Sequence, residues 1–205
     1  MPMSVKIDKK KDLEIILQKL RTFPNPKPWL EQYSTPPSVA SSLLWQVKME
    51  KNIDDVVYDL GCGTGTLTIG AKLLGARKAV GIDIDSEALK VAKENAKKLD
   101  VKVNFVQGDI KNIKGSADIV VQNPPFGCQK RGSDRPFIEK ALEIAPVVYS
   151  LHMKETEHFV EKYVKELGGS VEYKILFKFP LPPTMPWHKK KVKEIDVLLF
   201  KFIRN

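Results

Sequence analysis

The sequence predicts an α/β fold in which a mostly parallel sheet is covered by helices on both faces. Short apolar stretches, typical of buried strands, alternate with stretches of helical periodicity through most of the 205 residues. A glycine-rich loop follows the first of these strands and precedes a helix. The last two strand-like stretches are separated by a proline-rich loop without a helix, which predicts an antiparallel pair at the end of the sheet.

The N-terminal part is predicted to be helical. Apolar residues recur at helical spacing over residues 10–21, and the three prolines within residues 23–28 prevent a continuation of that helix. Ser34, Thr35 and Pro36 resemble a helix N-cap followed by proline in the first turn. A second helix is therefore expected over residues 37–49.

Seven strands and four further helices are expected after residue 50. The strands are predicted over residues 56–60, 79–84, 101–107, 117–122, 147–151, 171–179 and 194–203, and the helices over residues 67–74, 86–99, 136–144 and 154–167. We expect a single domain over residues 1–205, with residues 1–50 as a helical extension and residues 51–205 as the α/β core.

Composition and charge narrow the class of function. The apolar content is 42%, no apolar run reaches the ~18 residues that a membrane span needs, and the charged N-terminus lacks a signal-peptide core. The cytoplasm is therefore the expected location. Two cysteines without a CxxC pair and three scattered histidines give no indication of a metal site. The net charge of +9 favours a polyanionic partner, although solubility alone also explains it.

The loop Asp59-Leu60-Gly61-Cys62-Gly63-Thr64-Gly65 predicts a cofactor site. Glycine lets the backbone turn sharply and lets a ligand approach it closely. A dinucleotide fingerprint requires glycine where Thr66 stands, and a phosphate-binding Walker loop requires a lysine that this loop lacks. The spacing suits S-adenosylmethionine, which has no phosphate. A plain tight turn between strand and helix is the alternative.

Three aspartates are expected at the carboxyl ends of neighbouring strands, where ligands bind in open α/β sheets. Asp59, Asp83 and Asp109 form this acidic row. Asp83 is placed to accept hydrogen bonds from the ribose hydroxyls of a nucleoside, and Asp109 is placed to accept one from an adenine amine. Asp85 competes with Asp83 for the ribose but is better explained as the N-cap of the next helix.

Asn123-Pro124-Pro125-Phe126, directly after the fourth strand, predicts the reaction. A planar amine such as adenine N6 is a poor nucleophile because its lone pair is delocalised. The side-chain oxygen of Asn123 and the rigid carbonyl of Pro124 are two acceptors that favour a more tetrahedral nitrogen, whose lone pair then faces a sulfonium methyl. Phe126 is expected to stack on the base. A strand-ending turn is the alternative interpretation.

These motifs resemble those of the small adenine-N6 RNA methyltransferases with a seven-stranded Rossmann-like fold. The methyltransferase-like five group of eukaryotes and archaea, which modifies small-subunit ribosomal RNA, is the most similar, and the resemblance covers most of the chain. It rests on Glu31-Gln32-Tyr33-Ser34-Thr35-Pro36, the glycine loop, Val80-Gly81-Ile82-Asp83-Ile84-Asp85, Asn123 to Gly127, Val148-Tyr149-Ser150-Leu151-His152 and His188-Lys189-Lys190-Lys191.

The resemblance implies a sheet order of 3-2-1-4-5-7-6 with strand 7 antiparallel, and S-adenosylmethionine as cofactor. It implies a catalytic role for Asn123, Pro124, Pro125 and Phe126. It implies cofactor contacts from Gln32, Thr35, Gly61, Thr64, Thr66, Asp83, Asp109 and Ile110, to which the residue pattern itself adds Asp59 and Gly63. Thr64 and Thr66 stand at variable positions of the family pattern, so their contacts are expected through the backbone.

The resemblance also implies a partner protein. In that sheet order the strand predicted at residues 101–106 lies at the edge, with Val101, Val103 and Phe105 on one face, and exposed edges invite pairing. The eukaryotic members bind a small zinc-containing activator subunit along this edge by strand addition. The same kind of partner, or self-association through the same edge, is expected here, and no membrane.

Two basic segments are candidate RNA contacts. Residues 127–135 follow the catalytic tetrapeptide and form either a lid over the substrate or a surface loop. Residues 188–193 lie between the last two strands and either contact RNA phosphates or are solvated. The basic residues concerned are Lys130, Arg131 and Arg135 in the first segment and Lys189, Lys190, Lys191 and Lys193 in the second.

The sequence thus predicts an enzyme that transfers a methyl group from S-adenosylmethionine to the N6 amine of an adenosine in structured RNA, expected to be small-subunit ribosomal RNA. A protein-glutamine N5-methyltransferase is one alternative, because its substrate nitrogen is also planar, but Phe126 and the basic charge favour a nucleic-acid base. A non-catalytic RNA-binding subunit that has kept the fold is the other alternative, against which the intact Asn123 and glycine loop argue.

Overall fold

The fold is described over residues 7–50, 53, 55–181 and 193–205 by a computed structural model. The strands are β1 (Val56–Leu60), β2 (Lys78–Asp83), β3 (Asn104–Gln107), β4 (Ile119–Gln122), β5 (Val147–Met153), β6 (Gly169–Leu181) and β7 (Lys193–Arg204). The helices are α1 (Lys10–Leu17), α2 (Pro37–Met49), α3 (Thr66–Leu73), α4 (Ser86–Lys98), α5 (Arg135–Ile144) and α6 (Glu157–Glu166), with 3-10 turns at Pro28–Leu30, Ile110–Asn112 and Lys154–Thr156. In this part of the chain no helix is long and apolar enough to cross a membrane.

All seven strands form one sheet in the order β3-β2-β1-β4-β5-β7-β6. β1 to β5 run parallel, and β7 pairs antiparallel with both β5 and β6. The predicted fold class, strand order and antiparallel seventh strand are confirmed. β5, β6 and β7 are longer than predicted because they pair with one another along most of their lengths. The carboxyl ends of β1 to β4 meet at one end of the sheet, and this end carries the candidate site.

Apolar side chains form a layer on each face of the sheet. On one face α1, α2 and α3 pack against the strands, so that residues of the N-terminal helices belong to the same core as the sheet. On the other face α5 and α6 cover the strands. The consecutive residues Val120 and Val121 of β4 are both fully buried, one in each layer, as expected for a strand whose side chains alternate between two covered faces.

The helix predicted over residues 10–21 ends early, at Leu17. The backbone N–H of Leu20 donates to the carbonyl of Leu17, which tightens the chain into a turn. The N–H of Arg21 then donates to Asn95 Oδ1 of α4 at 2.9 Å. This contact lies 74 residues away in sequence, so the local apolar pattern gives no sign of it.

The edge strand predicted over residues 101–107 begins only at Asn104. Asp100 adopts a left-handed conformation, with φ of 53°. The N–H of Val101 donates to the carbonyl of Ala96, which closes the end of α4. Residues 101–103 therefore connect α4 to β3, and the edge strand β3 is only four residues long.

Candidate active site

A cavity of about 360 Å³ lies at the carboxyl ends of β1 to β4. Its wall comes from three parts of the chain: residues 23–33 before α2, the ends of the strands, and residues 123–137 after β4. Its lining includes Phe23, Trp29, Glu31, Gln32, Tyr33, Gly61, Gly63, Asp83, Ile84, Asp109, Ile110, Asn123, Pro125, Lys130, Ser133 and Phe137. A smaller pocket of about 30 Å³ lies beside the glycine loop.

The glycine loop forms the floor of the cavity in a backbone conformation that other residues avoid. Gly61 and Gly63 have φ of +69° and +53°. A Cβ atom at Gly63 would lie 2.7 Å from Phe23 Cζ, and one at Gly61 would lie 2.9 Å from Phe137 Cε1. Aromatic rings thus close against both glycines, and a side chain at either position would displace them.

Asp83, at the end of β2, is the carboxylate on the cavity wall. Its Oδ2 accepts a hydrogen bond from the N–H of Gly63 at 2.8 Å, and its Oδ1 accepts one from the N–H of Asp85 at 2.9 Å. Burial raises the pKa of Asp83. The carboxylate therefore fixes the glycine loop while it faces the space in which the sequence places a ribose.

Asp85 is the N-cap of α4, as predicted, because its side chain accepts a hydrogen bond from the N–H of Glu87 at 3.1 Å. It also accepts from Lys27 Nζ at 2.8 Å and from Gln32 Nε2 at 2.7 Å. Burial alone would raise the pKa of Asp85, but the hydrogen bonds from Lys27 and Gln32 lower it. Asp85 thus anchors the segment before α2 to the sheet.

Asp59 lies at the carboxyl end of β1, as predicted, but it does not line the main cavity. Asp59 is 1% exposed, and its Oδ2 accepts both the N–H and the hydroxyl of Thr68, at 2.9 and 2.6 Å. Burial raises the pKa of Asp59 to about 7. Its carboxylate holds the first turn of α3 and reaches only the smaller pocket. Asp109 does line the cavity, beside Ile110, and caps the 3-10 turn by accepting from the N–H of Lys111 at 2.9 Å.

Asn123 lines the cavity and is anchored through one end of its amide. Its Nδ2 donates to Thr35 Oγ1 at 3.0 Å. Its Oδ1 is buried and has no hydrogen-bond partner among the described residues. Pro125 lines the same cavity, and Pro124 is buried. The orientation of the amide is therefore fixed, with an unpaired acceptor left for a ligand.

The helix cap predicted at Ser34 and Thr35 is wrong. Pro36 is the N-cap residue of α2 and has no side-chain capping bond. The Thr35 hydroxyl instead accepts from Asn123, on a loop 88 residues further along the chain. Thr35 lines only the smaller pocket, together with Thr64 and Thr66. The predicted cofactor residues are therefore divided between the two spaces.

Phe126 does not offer the stacking surface that the sequence predicts. Its side chain is 8% exposed and packs edge-on against Phe179, with the ring centroids 5.5 Å apart. Apolar packing against the core holds the ring away from the cavity wall. The aromatic rings that line the cavity are those of Phe23, Trp29, Tyr33 and Phe137, and Trp29 is 72% exposed.

Gln32 lines the cavity with both ends of its amide engaged. Its Oε1 accepts from the N–H of Lys27 at 2.8 Å, and its Nε2 donates to Asp85. Sequence reasoning missed Glu31 and Ser133, which line the cavity with buried oxygens. In the sequence, Glu31 stands out only as part of the motif shared with the resembling family, and Ser133 is one residue of a polar loop.

The predicted RNA-binding residues are only partly brought together. Lys130 lines the cavity and Arg131 is exposed beside it. The guanidinium of Arg135 instead lies over the rings of Phe159 and Tyr163 in α6, at 4.8 and 5.7 Å from their centroids. Lys189, Lys190 and Lys191 lie outside the described residues, and Lys193 begins β7 with its side chain undescribed. Within residues 7–50, 53, 55–181 and 193–205, no group of acidic, histidine or cysteine side chains is placed to hold a metal ion.

Sequence and structure are both similar to those of known methyltransferases. The profile of the ribosomal protein L11 methyltransferase family (PrmA) matches residues 35–124. An uncharacterized protein of Methanocaldococcus jannaschii is 44% identical over 94% of this chain and 93% of its own length. The rRNA N6-adenosine-methyltransferase METTL5 of Danio rerio is 36% identical over 95% of this chain and 98% of its own length.

Among solved structures, the crystal structure of a proposed RNA methyltransferase from Pyrococcus horikoshii is similar over the whole fold. It is 42% identical to this chain and superposes with a TM-score of 0.90, covering 97% of this chain and 99% of the other. The similarity therefore includes the segment before α2 as well as the sheet.

Proposed function

The chain belongs to the family of rRNA N6-adenosine-methyltransferases, and we propose that it methylates the N6 amine of an adenosine in structured RNA, specifically in small-subunit ribosomal RNA. It is an S-adenosylmethionine-dependent methyltransferase. The observation that carries the proposal is the amide of Asn123, which is fixed by Thr35 and leaves a buried acceptor beside the glycine loop.

The residues around the cavity fit S-adenosylmethionine. Asp83 is placed to accept from the ribose hydroxyls, and Asp109 from the adenine amine, while the exposed Ile84 and the buried Ile110 offer apolar surface to the adenine ring. Gly61 and Gly63 line the cavity, and their backbone is proposed to face the amino-acid tail. When bound, the cofactor supplies an electrophilic methyl group on a sulfonium.

The chain itself contributes alignment and hydrogen-bond acceptors to the reaction. Asn123 Oδ1 and the carbonyl of Pro124 each accept one hydrogen of the N6 amine, which directs the nitrogen lone pair outward. The amine loses its proton late, so the mechanism needs no histidine base. This agrees with His152, which is buried and bonded to Ser150 Oγ at 2.7 Å rather than placed on the cavity wall.

The basic residues near the cavity are proposed to position RNA through its phosphates. Lys130 and Arg131 lie on the loop that follows the catalytic tetrapeptide, where Lys130 lines the cavity and Arg131 is exposed. Lys189, Lys190, Lys191 and Lys193 are proposed for the same role from the sequence alone. The net charge of +9 supports a polyanionic substrate.

We also propose that the edge strand β3 pairs with a partner, either a small zinc-containing subunit or a second copy of the chain. β3 is the first strand of the sheet, and Val106 on it is 42% exposed. Phe105, proposed from the sequence as part of the interface, instead points inward, where its ring lies close to Gly65 and Gly81.

A transfer assay tests the function directly. Protein and labelled S-adenosylmethionine are incubated with total RNA, DNA or protein, and label is expected in small-subunit ribosomal RNA as N6-methyladenosine. Asn123→Ala should lower the transfer rate by ~10²–10³ and leave cofactor affinity nearly unchanged. Asn205→Ala, at the opposite end of the sheet, is the matched control and should behave as wild type. Label in a protein fraction alone would contradict the proposal.

A further inference from the structure

Three residues on the cavity wall carry buried oxygens without a hydrogen-bond partner in the described part of the chain. They are Asn123 Oδ1, Glu31 Oε2 and Ser133 Oγ. Buried polar atoms are normally paired, so unpaired ones grouped around a cavity indicate a ligand that pairs with them. The proposed function uses Asn123 and leaves Glu31 without a role.

The side chain of Glu31 is fixed by a hydrogen bond from the loop that follows the catalytic tetrapeptide. Its side chain is 7% exposed, and its Oε1 accepts from the N–H of Gln129 at 2.9 Å. Its backbone is left-handed, with φ of 49°, an uncommon conformation for a residue other than glycine and one that concentrates at functional sites. The second oxygen of the same carboxylate therefore lies next to the loop that contains Gln129.

We infer that Glu31 recognises the ribose of the target nucleotide, with Oε2 accepting a hydrogen bond from its 2′-hydroxyl. An ionised carboxylate can only accept hydrogen bonds. An adenosine within an RNA strand offers two N6 hydrogens and one 2′-hydroxyl hydrogen. In the proposed function, on which this inference rests, Asn123 and Pro124 take the two N6 hydrogens, so the 2′-hydroxyl remains for Glu31. Because this hydroxyl distinguishes RNA from DNA, Glu31 makes the enzyme selective for a ribonucleotide at the target position.

Glu31→Gln is the matched variant. The N–H of Gln129 still needs an acceptor, so the new amide turns its oxygen toward Gln129. The NH2 group then replaces Oε2, and an acceptor becomes a donor with no change in shape. Glu155→Gln, an exposed residue in the 3-10 turn before α6, serves as control.

The substrates are two oligonucleotides that span the methylated site mapped on total RNA. One is all RNA, and the other carries a single 2′-deoxyadenosine at the target. Wild type and the control should lose about 10- to 100-fold in kcat/KM on the deoxy substrate. Glu31→Gln presents an N–H donor, which can form only a neutral hydrogen bond to the oxygen of the 2′-hydroxyl. It should therefore be slower than wild type on the RNA and lose a smaller factor than wild type between the RNA and the deoxy substrate.

Each other outcome overturns the inference. Equal rates of the wild type on both oligonucleotides would refute it while leaving the proposed function intact, and this comparison does not depend on how the variant folds. The substitution and the deoxy substrate could instead reduce kcat/KM independently, so that the two losses multiply. Together with a weaker affinity of Glu31→Gln for S-adenosylmethionine by calorimetry, this result would make Glu31 a cofactor contact. Absence of transfer by wild type to the RNA and to the deoxy substrate would overturn the proposed function as well.

Discussion

Replacing Thr35 by valine is expected to slow methyl transfer without weakening cofactor binding. Thr35 Oγ1 accepts from Asn123 Nδ2 at 3.0 Å, and Thr35 is buried. Valine keeps the shape of the side chain but removes the acceptor. The Asn123 amide then loses the contact that fixes its orientation, and its Nδ2 becomes a donor without this partner.

The size of the effect follows from this geometry. Leaving a buried donor unpaired costs about 1–3 kcal/mol, and each ~1.4 kcal/mol in a barrier is a tenfold change in rate. We therefore expect the single-turnover rate of Thr35→Val to fall roughly 10- to 100-fold, less than for Asn123→Ala. The rate is measured with labelled cofactor and ribosomal RNA, and cofactor affinity is measured by calorimetry.

The resemblance to other family members assigns Thr35 a different role, as a cofactor contact. A weaker affinity for S-adenosylmethionine with an unchanged single-turnover rate would therefore refute the positioning role. Thr35→Ser keeps the hydroxyl oxygen that Asn123 Nδ2 needs. This variant should recover most of the wild-type rate, which separates loss of the acceptor from a general disturbance of the segment before α2.

Three further outcomes are expected. Asp83→Ala should weaken S-adenosylmethionine binding at least tenfold by calorimetry, because hydrogen bonds to a charged acceptor are worth roughly 1.5–3 kcal/mol each; unchanged affinity would place the ribose elsewhere. Burial raises the pKa of Asp59 from 3.8 in the unfolded chain to about 7 in the folded protein, so folding favours the protonated form. The stability linked to this protonation is complete below pH 3.8 and is lost as the pH rises through 7. The melting temperature of Asp59→Asn should therefore depend less on pH between pH 5 and 8 than that of wild type. An equal pH dependence in both proteins would contradict the assigned pKa. Val106→Glu should prevent partner capture in a pull-down and leave cofactor affinity unchanged. Phe105→Ala should reduce cofactor affinity, because the Phe105 ring packs against Gly65. The reverse result would show that Phe105, and not Val106, contacts the partner.

Much of the fold could be predicted because it follows from local patterns. The bounds of β1 and α2 agree with the prediction, since an apolar run before a glycine loop and a proline at the start of a helix are both local signals. The ends of α1 and β3 could not be predicted, because they depend on the contact between Arg21 and Asn95 and on the turn at Asp100.

The residue types of the candidate site could be predicted from the sequence, but the direction in which each side chain points was harder to predict. Asn123 and Asp83 follow strands, and the strand ends place them at the cavity. Asp59 also follows this rule in sequence, but Thr68 in the next helix takes its carboxylate. Phe126 turns into the core because Phe179, which comes from β6, is there to pack against it. Such partners are known only once the chain is folded.

The cavity wall formed by residues 23–35 is synthesised well before the residues that anchor it. Gln32 bonds to Asp85, 53 residues further on, Thr35 to Asn123 after 88 residues, and Glu31 to Gln129 after 98. Contacts of such large sequence separation form late because long loops must close first. A nascent chain therefore has no assembled cavity until residues 123–137 have also emerged from the ribosome.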